Sequence, residues 1–211
     1  LGWKGIPQSE ECTELLDFDA PDSPKRTWIV PAFAHPIGLA AMLPGFGAAH
    51  RETLRQLPHM AVLTAMLHDE SAGTVRVDGD RLRVHYALVP ADQRALVDGL
   101  AACAELLFAA GARRVLVPLA APLWLDDRSQ VERLRAHRYR PLDPLLTAVH
   151  PMGTLPLGTL VDPHGAYRHV KNLYVADGSL FPTSIGTPPQ LSIYAAAHKV
   201  AGHIAADLGR R

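Results

Sequence analysis

Cysteine is nearly absent from this chain: Cys12 and Cys103 are the only two in 211 residues. Two widely separated thiols make no disulfide framework, and with no CxxC pair nothing points to zinc. Net charge is also lacking, because 21 Lys and Arg balance 21 Asp and Glu. That balance gives no reason to expect nucleic acid or an anionic membrane as a partner. No run approaches the roughly 18 apolar residues of a membrane span, and no signal peptide opens the chain. There are no repeats and no low-complexity stretches. A complete dinucleotide fingerprint is missing too. The stretch Gly45 to His50 (GFGAAH) lacks the third glycine and follows no clear strand. A G-x-S-x-G elbow is likewise absent, since Asp177-Gly178-Ser179-Leu180-Phe181 lacks the second glycine. The first residue is Leu1, not Met, so the chain reads as a downstream piece of a longer protein with no compartment indicated.

Hydrophobic residues make up 48% of the chain, which suits a globular domain with a core. Residues 1–24 are polar and irregular. Arg26 to Val30 (RTWIV) is a strand candidate. Pro36 to Leu43 reads as a buried helix ended by Pro44-Gly45, and His50 to Leu57 as a short polar helix. Met60 to Leu67 reads as a buried strand, with helix as the alternative. Val75, Val77, Leu82, Val84 and Tyr86 alternate around Asp78-Gly79-Asp80, which predicts a hairpin with Arg76, Arg83 and His85 on a solvated face. Asp92 to Ala110 has apolar residues at Leu96, Leu100, Cys103, Leu106 and Leu107, the spacing of a helix stopped by Gly111. Arg114 to Leu119 reads as a strand and 124–140 as an exposed loop and helix. One more strand passes through Pro144. Strands, a hairpin and packed helices together predict an α+β fold.

The last third carries the chemistry. It reads HPMGTLPLGTLVDPHG from His150, then VKNLYVADGSLFPTSIGTPPQLSIYAAAHKVAGHIAADL. Asn172 to Ala176 is a short strand candidate running into Asp177-Gly178-Ser179. Gly178 permits a sharp turn and close approach of backbone N–H groups to a ligand. Ser179 caps or fills that turn. Pro188 and Pro189 suit the start of a helix, where a missing N–H costs little. The N–H groups of Gln190 and Leu191 then point out of the helix N-terminus, a place for negative charge. A proline-capped helix packed in a core is the plainer reading of the same residues.

Taken in order and spacing, these motifs resemble the C-terminal signature of the glucose–methanol–choline (GMC) flavin oxidoreductases, most of all members similar to cholesterol and long-chain alcohol oxidases. The resemblance implies a mostly antiparallel substrate-binding domain over 25–148, preceded by an entry segment at 1–24. Residues 149–211 would be the closing strand and helix of an FAD-binding domain whose main part lies upstream, in another segment or subunit. It implies FAD as cofactor and a small-molecule alcohol, apolar in this subgroup, lying between flavin and sheet. His150 would be the catalytic base, since an imidazole titrating near neutrality suits removal of a hydroxyl proton. Asp177, Gly178, Pro188, Pro189 and Gln190 would face the cofactor. The family usually places Asn or His where this chain has Pro188, which offers no side-chain donor or acceptor. A non-catalytic relative that keeps the fold is therefore the rival reading.

Overall fold

A computed structural model describes residues 26–32 and 35–209. The expected entry segment at 1–24 and Cys12 lie outside the described residues. The chain divides into two compact units, 1–146 and 147–211.

In the first unit, β1 (Thr27–Pro31) pairs antiparallel with β2 (Leu63–Leu67), Thr27 opposite Leu67 and Pro31 opposite Leu63. Between them lie α1 (Pro36–Met42) and α2 (Gly47–Arg55). The expectation that the first of these is buried fails: only Leu39 turns inward, and Ile37 is 75% exposed. The hairpin forms as read, from β3 (Gly73–Asp78) and β4 (Arg81–Tyr86), with Val75 opposite Val84 and Val77 opposite Leu82. Its apolar side chains are nevertheless exposed.

Helix α3 (Pro90–Ala109) begins two residues earlier than the apolar pattern suggests, with Pro90 in the first turn. Its buried side is Ala95, Leu96, Val97, Gly99, Ala101, Cys103 and Ala104, and Leu106 is 42% exposed. Small residues win this face because β1 and β2 approach so closely. A Cβ on Gly99 would fall 2.4 Å from Thr27 Cγ2 and 3.0 Å from Ala65 Cβ. The helix ends in a Schellman motif. Gly111, at φ +92°, donates its N–H to Phe108 O, and Ala112 donates to Leu107 O.

At the start of α3, Asp92 is fully buried. It pairs with Arg26 Nη2 at 2.9 Å and accepts Ser71 N–H at 2.9 Å, Ser71 Oγ–H at 2.5 Å and Glu70 N–H at 3.1 Å. Arg26 also donates to the His68 carbonyl and meets Glu70. One carboxylate thus ties the edge of β1, the end of β2 and the following loop to the positive end of a helix.

β5 (Val115–Val117) pairs antiparallel with β6 (Leu123–Leu125), and α4 (Val131–Arg135) buries Val131 and Leu134. The stretch read as exposed loop and helix therefore holds a strand and core side chains, packed with Ala101, Ala104, Val115 and Val117. No strand runs through Pro144; that residue makes one isolated bridge to Leu119. Among the described residues the three ladders are all antiparallel, but they are separate pairs rather than one sheet. The architecture is α+β.

The second unit is a set of hydrogen-bonded turns on one long helix, α5 (Gln190–Leu208). Val161, Val175, Leu180 and Val200 form its core, with Leu155, Tyr167, Tyr174, Ala196 and Ile204 around them. The expected strand at 172–176 does not form as such: Asn172 sits in a turn at φ +60°, and the chain after it is held by a single bridge, Ala166 to Tyr174, in which Tyr167 N–H donates to Leu173 O and Val175 N–H to Gly165 O. Its neighbours are turns, so no ladder can propagate. None of the described helices is long and apolar enough to cross a membrane.

Candidate functional site

The site is assembled within the second unit. Asp177 is extended (φ −135°), and its carboxylate accepts Ser179 N–H at 2.8 Å and Ser179 Oγ–H at 2.5 Å. That cap starts a single tight helical turn, Gly178–Leu180. Ser179 therefore fills the turn, as its position suggests.

The Pro-Met-Gly-Thr segment lies against this turn. Gly153 N–H donates to Phe181 O at 2.9 Å, Leu155 to Ser179 O at 3.0 Å and Leu157 to Leu180 O at 3.0 Å. Gly153 adopts φ +83°, which glycine reaches without strain, and a Cβ there would sit 3.2 Å from Pro182 O. Gly178 is met by three different residues. A Cβ on it would lie 3.3 Å from Pro151 O, 3.4 Å from Ile193 Cδ1 and 4.0 Å from Met152 Cγ. The missing side chain lets the strip beside His150, the Asp177 turn and the start of α5 close on one another. His150, next to Pro151, is half-buried.

Pro189 is the N-cap of α5 and is almost fully buried, while Pro188 before it and Gln190 after it are exposed. The first helical hydrogen bond runs from Ile193 N–H to Pro189 O at 2.8 Å. The N–H groups of Gln190, Leu191 and Ser192 precede it and have no place in the helical ladder. No side chain caps them, and the first turn holds no acid. They sit at the positive end of a 19-residue helix. The Gln190 amide turns back along the helix, where Nε2 donates to Tyr194 Oη at 2.7 Å. Gln190 therefore presents its backbone, not its side chain, at the helix end. The part played by Tyr194 is new; its spacing of four from Gln190 is the signal that marks it.

The structure thus brings together the His150 strip, Asp177, Gly178 and the opening of α5. Pro188 stands at the entrance to that helix with no hydrogen-bonding side chain. The arrangement offers an imidazole, a carboxylate-capped turn and unpaired amides suited to negative charge.

Comparison with known proteins identifies the family. The GMC oxidoreductase family model matches residues 69–197. An uncharacterized GMC-type oxidoreductase of Mycobacterium tuberculosis is 35% identical over 217 residues, covering 99% of this chain and 33% of that protein. A long-chain-alcohol oxidase of Arabidopsis thaliana is 27% identical over 178 residues, 78% of this chain and 24% of the relative. A second Arabidopsis long-chain-alcohol oxidase is 26% identical over 216 residues, 90% and 27% respectively. The chain spans a quarter to a third of the length of these relatives. With the model match running from the loop after β2 into α5, across every motif of the site, the chain belongs to the GMC oxidoreductase family.

Proposed function

We propose that the chain is the C-terminal part of an FAD-dependent oxidoreductase that oxidises an alcohol, with His150 receiving the hydroxyl proton. One arrangement supports this reading. Residues 153–157 are hydrogen-bonded along 179–181, and Gly178 is pressed against Pro151 and Ile193. On that reading 25–148 forms the substrate-binding domain and 149–211 belongs to an FAD-binding domain. The main part of that domain is supplied by an upstream segment or subunit.

The residues present fit one edge of a flavin. The uncapped amides at the start of α5 suit an electron-rich ring edge, and Pro189 holds the helix start in place. The flavin-facing groups would be Asp177, Gly178 and the backbone of Pro188, Pro189 and Gln190. Asp177 Oδ1 is held by Ser179, and Oδ2 is its remaining acceptor. Bound FAD would supply the hydride acceptor. The His150 ring would take the proton from the substrate oxygen, and its half-buried position keeps it open to substrate. Pro188 adds no hydrogen bond to that oxygen, so His150 works without a side-chain partner from that position. The Arabidopsis relatives are named long-chain-alcohol oxidases, which favours an apolar alcohol.

Pro188 also favours a second reading, a non-catalytic relative that keeps the fold. Stopped-flow reduction of flavin by alcohols in the full-length protein decides between them. His150→Ala is expected to slow reduction about 100- to 10,000-fold, the usual contribution of a general base. A change below about threefold would remove His150 from the mechanism, given that range. A parent protein whose flavin is bleached by no alcohol would support the non-catalytic reading.

A further inference from the structure

His164 and His203 belong to none of the motifs above, yet their rings meet. His164 Nδ1 lies 3.1 Å from His203 Nδ1 and 3.2 Å from its Nε2. The rings stand at 71°, with centroids 4.1 Å apart. Both are carried on a fixed frame. Asp162 Oδ1 accepts the N–H groups of His164 and Ala166, each at 2.9 Å, which sets the turn bearing His164. The next residue, Gly165, lies directly on α5, where a Cβ would fall 2.5 Å from Val200 Cγ2. Val200 is buried and precedes His203 by three residues, on the same side of the helix. His164 is exposed and His203 half-buried, so solvent reaches the pair.

Imidazole is the commonest protein metal ligand and suits Zn²⁺, Ni²⁺ and Cu²⁺. With metal–nitrogen bonds of about 2.0–2.1 Å, two nitrogens on one ion at square or tetrahedral angles are roughly 2.9–3.4 Å apart. His164 Nδ1 lies at that spacing from both His203 nitrogens, over the ring rather than along one lone pair, so each ring must turn about its broad terminal torsion for one lone pair of each to meet at a common point. We propose that His164 and His203 form a two-imidazole site for a late first-row divalent cation, with water completing its shell. Among the described residues no group of three or more His, Cys, Asp or Glu could hold an ion, so water must supply the remaining ligands.

Cu²⁺ binds such ligands most tightly in the divalent series and is the probe of choice. It is titrated into the full chain and followed by calorimetry and electron paramagnetic resonance. The expected result is one site per chain with two nitrogen ligands. His164→Ala and His203→Ala should each weaken it at least about tenfold, since each removes one of two protein ligands. His198→Ala, on the same helix, should leave it unchanged. Circular dichroism checks that each variant is folded, and His203→Gln provides a closer replacement. Equal Cu²⁺ affinity in the parent and the double variant would overturn the proposal, as would no binding to the parent.

Discussion

Helices α3 and α5 have nearly the same length, 20 and 19 residues, and each has proline at its start, Pro90 as the first residue of α3 and Pro189 as the N-cap of α5. Neither has a side-chain N-cap. Beyond that they part. α3 carries Asp92 in its first turn, where the buried carboxylate meets the positive helix end and draws in Arg26, Glu70 and Ser71. It buries eight residues, and Leu88 just before it is buried as well. α5 has no acid in its first turn and buries Val200 alone, while Leu191 and Tyr194 near its start are 81% and 59% exposed. A helix end filled by its own carboxylate serves the fold. One that leaves its amides uncapped near a half-buried histidine is the one we propose to meet the cofactor.

The comparison can be broken first at α3. Asp92→Ala leaves the Arg26 guanidinium buried without its partner and is expected to cost about 3–5 kcal/mol, read by urea unfolding of the full chain. A cost below about 1 kcal/mol, the worth of an exposed pair, would mean that the carboxylate is not the anchor it looks to be. Next comes Pro188→Asn at the entrance to α5, which adds a donor where the chain has none. An active-site hydrogen bond of this kind contributes up to about 2.7–4 kcal/mol to catalysis, so faster flavin reduction by alcohols is expected. Unchanged or slower reduction in a folded variant would show a site built around proline. Smaller still is Gly178→Ala. Its Cβ would press on the Pro151 carbonyl and Ile193 at 3.3 and 3.4 Å, and overpacking of this sort costs about 1–3 kcal/mol. Thermal unfolding that shows no loss would mean that the strip yields freely.

What could be read in advance follows the range of the interactions. The hairpin of β3 and β4 was legible because alternation and an Asp-Gly turn are local signals. The exposure of its valines was not, since that depends on what lies across from it. The length of α3 was legible too. Its apolar stripe holds at Leu96, Leu100, Cys103 and Leu107, while Leu106 turns out, and the added burial of small residues such as Gly99 depends on β1 and β2, which are distant in sequence. The partnership of Asp92 with Arg26 is equally nonlocal. Leu123–Leu125 is too short to show a period, and 172–176 looks like a strand while lacking a ladder partner. At the site, Asp177 with Ser179 and Pro189 at the helix start were visible as local chemistry. The closure of Pro151 and Ile193 on Gly178 needed the fold. The turning of the Gln190 amide onto Tyr194 follows a spacing of four and was open to be read.

The most direct measurement makes α5 resemble α3. Ser192 occupies the same place in the first turn of α5 as Asp92 does in α3. Ser192→Asp places a negative charge where the proposed site keeps its amides open. The charge–dipole interaction is about 0.3–1 kcal/mol, so the helix should be as stable as before or slightly more so. In the full-length flavin-loaded protein, the midpoint potential should become more negative, because the added charge opposes the charge of the reduced flavin. A gain in helix stability with no change in potential would contradict the account and leave α5, like α3, a helix of the fold alone.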